Sequence, residues 1–449
     1  MKKRTNLSAL LIALLAFAIL LYFPIFNNQK AQQAFALLLM VAILWITEAI
    51  PLPLTSLLIP VVAIFLQLLS PREAFKEFAH PILFLFMGGF VLAGALSRHS
   101  LDKMLAQKLI RLARGNFYKS AILLMFATSL TACWVGNTSS TAMMIPLALG
   151  MLMLVKKDTV SAESKFLMLG IAYSANIGGI ITMVSTPPNA IGAAILGLSF
   201  STWMKYSIPI FLITFPAMVT LLTLYFKPDK KMSIGVMAFE KENNAPIKTL
   251  GVVFLLTITL WIMDGVLSPL LNIDNSFSSL VAIFAIFLLF ITKVLTWDEI
   301  IKSVKWDMLL LFGGGLTLGM LIDQSGLGAM MIKQVAGLVT TVPMFIFLWV
   351  IVLFSIVLTE FMSNTASAAM ILPLLFSLSN TLHINPMILV FPATIAASYG
   401  FMLPAGTPPN AMVFSSGFVP QRDMIKAGFI LNIIFSIILT TFFYTIFSK

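Results

Sequence analysis

Thr359 to Pro373 reads TEFMSNTASAAMILP, and Ser363-Asn364-Thr365 set a hydroxyl, an amide and a second hydroxyl in a row inside apolar sequence. A near copy, GNTSSTAMMIP, occupies Gly136 to Pro146. Each run is followed some tens of residues later by the same four letters, Thr186-Pro187-Pro188-Asn189 and Thr407-Pro408-Pro409-Asn410. One isolated Ser-Asn-Thr reads as glue between membrane helices, at about 0.6 kcal/mol per contact. Two copies, each with its own proline break, reverse that reading. They point to two half-sites facing each other, the pattern of a secondary transporter built from a repeat.

The surroundings agree. The chain has 449 residues, of which 59% are hydrophobic and 10% charged, against about 25% charged in a soluble domain. Apolar runs of about 20 residues, enough for some 30 Å of hydrocarbon, recur from end to end. The net charge of +11 does not indicate a nucleic-acid partner, because the basic residues sit between apolar runs, as positive-inside loops require. A single cysteine, Cys133, excludes an intrachain disulfide and a thiolate metal cage. His80, His99 and His383 lack metal-ligand spacing and a neighbouring nucleophile. With no Walker A sequence, no Ser/His/Asp set and no soluble domain, neither a membrane enzyme nor a pump subunit fits.

The expected fold is an all-α polytopic membrane protein with eleven spans and two re-entrant hairpins in an inverted repeat. Helices are expected over about 7–26 (a membrane helix rather than a cleaved signal peptide), 33–50, 53–69 and 80–97, where Gly88 and Gly89 permit close backbone approach. An amphipathic interfacial helix follows over 98–119, then a hairpin over 121–155 with Gly136-Asn137-Thr138 at its tip. A helix over 165–198 is broken near Ser185 to Asn189, and 203–226 leads to a Lys-rich linker over 227–248. The second half repeats this plan with helices at 249–267, 277–295 and 306–322, an amphipathic stretch at 324–338, a hairpin at 344–379, a broken helix at 385–417 and a last helix at 425–447. Trp261-Ile262-Met263-Asp264 echoes Trp45-Ile46-Thr47-Glu48, with Glu48 and Asp264 in capping or interfacial roles. The domain division is 1–79 (scaffold), 80–202 (first transport half), 203–305 (linker and scaffold), 306–424 (second transport half) and 425–449 (last helix). The Lys and Arg bias places the N-terminus inside a cell inner membrane.

A tip and an unwound helix both leave backbone groups without intrahelical partners, and in hydrocarbon these must be satisfied by protein, water or ligand. Exposed carbonyls with the oxygens of Ser363 or Thr359 suit a small hard cation. Free N–H groups at half-helix N-termini attract anions. Asn137, Thr138, Ser363, Asn364, Thr365, Thr186 and Thr407 can each add a hydrogen bond to a carboxylate. No Lys or Arg lies in the hairpins or breaks, so co-bound cations would neutralise a buried dianion. Glu360, beside the second tip, is a secondary candidate for a proton site.

On the two Asn-Thr tips, the two TPPN segments and WITEAIPLP at 45–53, the sequence resembles the divalent anion–sodium symporter family, the di- and tricarboxylate carriers. The resemblance covers nearly the whole chain. It implies a homodimer in which a scaffold domain carries an elevator-type transport domain. It also implies a first sodium site at Gly136, Asn137 and the backbone around Ser185, and a second at Thr359, Ser363, Asn364 and the Gly406 backbone. The substrate carboxylates would meet Asn137, Thr138, Ser363, Asn364, Thr365, Thr407 and Pro408. The first half departs from the pattern: the usual serine is Gly136, the hydroxyl four residues earlier is Ala132, and Ser185 replaces a common glycine. The expected function is sodium-driven import of C4-dicarboxylates such as succinate, malate or fumarate. Sodium-independent dicarboxylate exchange and sulfate-type anion transport are the alternatives. A serine restored at position 136 is expected to increase sodium stimulation.

Overall fold

A computed structural model describes residues 6–155, 159–234, 246–273, 276–330 and 342–447. Its elements, in order, begin with α1 Leu7–Tyr22, α2 Gln29–Thr47, α3 Leu52–Phe65, α4 Pro71–Lys76, α5 Pro81–Arg98, α6 Leu101–Arg111, α7 Phe117–Val135, α8 Asn137–Leu154, α9 Ala162–Gly178, α10 Pro187–Leu196 and α11 Phe200–Phe226. They continue with α12 Pro246–Ile262, α13 Asp264–Leu270, α14 Phe277–Ile291, α15 Trp297–Ser303, α16 Trp306–Gln324, α17 Met344–Phe361, α18 Asn364–Thr381, α19 Pro386–Ala396, α20 Pro408–Ser415 and α21 Gln421–Phe447. The described residues are helical throughout, apart from connections and one isolated bridge between Asn116 and Ser233. Much of the amphipathic stretch expected at 324–338, and the linker from 235 to 245, lie outside the described residues.

Among the described residues, eight helices are long and apolar enough to cross a bilayer, or nine when α12 and α13, bent by 71° at Met263, count as one span. Eleven spans were expected. Four of the expected ones are apolar helices of only 11 to 16 residues (α1, α3, α14 and α19), about 17–24 Å long. Three of the eight, α7, α8 and α17, are arms of the two polar tips.

The halves interlock rather than sit side by side. Helix α5 of the first half packs on α14 of the second, and α16 of the second packs on α3 of the first. Glycine makes both crossings close: a Cβ at Gly88 would lie 2.6 Å from the Ala282 side chain, and one at Gly314 would lie 2.5 Å from that of Ser56. The expectation of close backbone approach at Gly88 is met. Trp45 and Trp261 are both fully buried. Glu48 closes α2 in the left-handed conformation (φ 44°). Asp264, at the start of α13, accepts from Phe200 N at 3.3 Å and Ser278 Oγ at 2.6 Å.

The breaks lie upstream of where the proline pairs suggest. The first unwound stretch is 179–186 and the second 397–407. Both TPPN segments sit at the start of the resumed helix, correcting the expected break over Ser185 to Asn189. The reason is local: proline lacks an N–H, which the first helical turn does not need, and its fixed φ is already helical. Thr186 and Thr407 are the extended N-cap residues of α10 and α20. The resumed helices then cross between halves, with α10 packing on α18 and α19, and α20 packing on α8 and α9.

Candidate functional site

Each tip is a short interruption between two helices. Gly136 alone separates α7 from α8, at φ 89° and ψ 156°, a region essentially restricted to glycine. Its N–H closes α7 on Ala132 O at 3.1 Å, and its carbonyl accepts from Ser140 N at 3.2 Å to open α8. At the second tip Met362 and Ser363 form the break, with Ser363 at φ −57° and ψ 134°, open to any residue. Asn137-Thr138 and Asn364-Thr365 are therefore first-turn residues of helices, where backbone N–H groups have no intrahelical acceptor.

The two breaks are held by the same device. Asn189 Nδ2 donates to Gly179 O and Thr182 O, both at 2.8 Å. Asn410 Nδ2 donates to Gly400 O at 2.9 Å and Leu403 O at 3.1 Å. In each case the acceptors lie ten and seven residues upstream. The asparagine of TPPN thus staples two carbonyls of the unwound stretch in each half.

Around these elements lies a cavity of about 560 Å³, lined by both tips, both Thr-Pro segments, Gly406 and the end of α2 at Glu48. It brings Asn137, Thr138, Thr186, Ser363, Asn364, Thr365, Gly406, Thr407 and Pro408 onto one surface. Four helix N-termini meet it, those of α8, α10, α18 and α20. None of its lining residues is Lys or Arg.

The expected first-cation residues also come together, since a Cβ at Gly136 would lie 3.1 Å from Ser185 O. That contact and the positive φ put strain on a serine at position 136. A serine there requires a different tip backbone and so does not simply restore a ligand. The Ser185 hydroxyl is turned into its own loop, bonding Thr182 O at 2.9 Å and also Gly179 O. At the second tip Thr359 Oγ1 lies 2.7 Å from Asn364 Oδ1 and 2.9 Å from Ala397 O. Among the described residues no group of three or more His, Cys, Asp or Glu is arranged to hold a metal ion. Neutral oxygens of this kind suit a monovalent hard cation.

Glu360 is not among the residues lining the cavity. Its carboxylate accepts from Met402 N at 2.8 Å, Leu403 N at 2.9 Å and Asn432 Nδ2 at 2.8 Å. It ties the second break to α17 and α21, a structural use that the proton-site reading did not anticipate. Sequence reasoning also missed Asn176 near the end of α9, which is fully buried and bonds both Asn137 and Thr407. The local signal was a single amide in the uncharged stretch of α9 after Lys165.

The chain matches the family model CitMHS, citrate transporter, over residues 42–393. It is 39% identical over 443 residues to an uncharacterized transporter of Haemophilus influenzae, covering 96% of each chain. It is 32% identical over 472 residues to the sodium-dependent dicarboxylate transporter SdcS of Staphylococcus saprophyticus, covering 96% of this chain and 89% of that one. Among solved structures, the Alcanivorax borkumensis YdaH transporter shares the fold, with a TM-score of 0.60 at 14% identity, over 93% of this chain and 98% of that one. This chain is a multi-pass membrane transport protein and belongs to the citrate transporter family, among the di- and tricarboxylate carriers of the divalent anion–sodium symporter group.

Proposed function

We propose that this protein imports C4-dicarboxylates such as succinate, malate or fumarate, coupled to sodium, by alternating access. The observation that carries the reading is the convergence of four helix N-termini on one cavity whose lining holds no Lys or Arg. Each N-terminus presents roughly half a positive charge, which favours a dianion without a fixed cation, and co-bound sodium would offset the remainder together with that of the Glu48 carboxylate in the lining. An arginine-lined site would attract the anion with a fixed charge, whereas the attraction of dipoles supplemented by mobile cations weakens when the cations leave. The cavity also falls in the range of small-molecule sites, roughly 300–1,000 Å³. The likeness to SdcS, described as sodium-dependent and dicarboxylate-transporting, supports both substrate and ion.

In this reading Asn137, Thr138, Thr186, Ser363, Asn364, Thr365, Thr407 and Pro408 contact the carboxylates. One sodium lies between Gly136, Asn137 and the Ser185 carbonyl, and a second among Thr359, Ser363, Asn364 and the Gly406 carbonyl. Segments 80–202 and 306–424 would move together as the transport domain against the rest, in a homodimer with its N-terminus inside. A second reading, sodium-independent exchange, is favoured by one observation: the Ser185 hydroxyl bonds its own loop, and Gly136 and Ala132 add no side-chain oxygen.

The deciding experiment is radiolabelled succinate uptake into proteoliposomes, with sodium outside, with potassium replacing it, and with succinate preloaded. Symport predicts uptake into empty vesicles that needs the sodium gradient. Uptake that ignores sodium and needs internal succinate makes the protein an exchanger. Competition by sulfate with no binding of dicarboxylates at millimolar concentration would overturn the substrate assignment.

A further inference from the structure

Three side chains, Asn176 and Thr407 buried and Asn137 partly so, form a line of hydrogen bonds between the two half-sites. Asn137 Nδ2 donates to Asn176 Oδ1 at 3.0 Å, and Asn176 Nδ2 donates to Thr407 Oγ1 at 3.0 Å. The direction of each bond is fixed by backbone groups whose role cannot change. Thr138 N–H donates to Asn137 Oδ1 at 2.9 Å, so the Asn137 amide must turn its NH₂ toward Asn176. The atom of Asn176 facing it is then the oxygen, and the NH₂ of Asn176 faces Thr407. At the far end Asn410 N–H donates to the same Thr407 oxygen at 3.3 Å. With two donors on its oxygen, the Thr407 hydroxyl spends its own proton elsewhere, and Thr407 lines the cavity.

From this polarity we infer that Asn176 is a positioning residue: it sets Thr407 as a hydrogen-bond donor toward the anion and ties that donor to the tip asparagine of the other half. The inference rests on the dicarboxylate reading above and deepens it, because a hydroxyl held as a donor favours a carboxylate. The equivalent threonine of the first half shows what the bridge adds. Thr186 Oγ1 is buried without a hydrogen-bond partner and makes no side-chain cap, so nothing orients its proton. Asn176 also stands at the position that Ala397 occupies in the second half, judged by the matched Gly179 and Gly400 bonds of the two staples.

The test is the KM and kcat of succinate transport in Asn176→Leu, Thr407→Val and the double variant. Loss of an oriented donor to a charged group predicts a KM rise of about 10- to 100-fold with kcat changed far less, because only the donor to the bound anion is lost. The double variant should match Thr407→Val alone, since Asn176 acts through that hydroxyl. KM rises that multiply, or a fall in kcat at unchanged KM, would overturn the inference. Asn176→Ala repeats the test if the leucine variant does not accumulate: it removes the same two hydrogen bonds and adds no group that can donate to Thr407. A thermal-denaturation cycle of Asn137→Ala with Asn176→Leu in detergent reads the bridge without any substrate. Non-additive shifts in melting temperature support the bridge even if the parent protein transports no dicarboxylate, an outcome that would sink the substrate reading alone. Additive shifts reject the bridge.

Discussion

At the second tip, Asn364 is held from its own half, by the Thr359 hydroxyl, which also reaches Ala397 O. At the first tip the position of Thr359 is taken by Ala132, and Asn137 is held instead by Asn176, which passes the contact on to the opposite half. The same asparagine is fixed in both places, but by different partners. The Thr359 hydroxyl, with one proton for two neighbours, holds Asn364 at one amide atom and leaves the other uncommitted. Asn137 commits one N–H to Asn176 and its oxygen to Thr138. The tips are copies in sequence and have diverged in their bonds: the second keeps part of its amide uncommitted, and the first is the tie between halves.

That division predicts its largest effect at Asn364→Ala. Removing the partly uncommitted amide at the second tip should lower transport by about two orders of magnitude or more, given the worth of a hydrogen bond to a charged group plus the loss of the Thr359 partner, while expression is unchanged. Uptake measured beside Asn137→Ala sharpens the contrast, because the first-tip variant should retain more activity. Parental uptake by Asn364→Ala would mean that the second tip is structural.

A comparison of the breaks should show a smaller difference. Asn189→Ala leaves Gly179 O and Thr182 O with the Ser185 hydroxyl, whereas Asn410→Ala leaves Leu403 O with Gly406 N but Gly400 O without its amide partner, at about 1–3 kcal/mol for a group left unsatisfied. Thermal unfolding in detergent should show the larger loss for Asn410→Ala. Equal losses would mean that the Ser185 hydroxyl does not stand in for the missing amide.

What the sequence revealed follows from what each signal depends on. The tips and the TPPN segments were legible because a polar triplet and a proline pair are conspicuous in apolar sequence, and their duplication removed the ambiguity of a single copy. The position of the breaks was misread because proline marks where a helix can restart as readily as where it stops. Asn176 and Glu360 could not be assigned from the chain at all. Their partners lie 231 and 72 residues away, and only the fold says whether a buried polar group faces a ligand or a bare backbone. The staple role of Asn189 and Asn410 was hidden for the same reason, although the motif containing them was in plain view.

Gly136→Ser sets sequence analogy against backbone geometry. Serine is the residue at the second tip, yet Ser363 sits at φ −57° and Gly136 at φ 89°. Placing a side chain in the first conformation costs about 1–3 kcal/mol and brings Cβ to 3.1 Å from Ser185 O. The expected result is a lowered melting temperature with no gain in sodium stimulation. A stable variant with stronger sodium dependence would show that the first tip readily adopts the backbone of the second.

The smallest effect is expected from Ala132→Ser, which offers the first tip the hydroxyl that Thr359 gives the second while leaving the Gly136 backbone alone. Ala132 is fully buried in α7, and serine adds one small polar atom there. If that oxygen reaches Asn137 Oδ1, it adds one hydrogen bond of about 1 kcal/mol, some fivefold in an equilibrium. Half-saturation by sodium should then fall by a few-fold, with the succinate KM unchanged because Asn176 still sets Thr407. A change in succinate KM with sodium response unaltered would locate the influence of Asn137 at the anion rather than at the cation. The two tips would then share one task instead of dividing two.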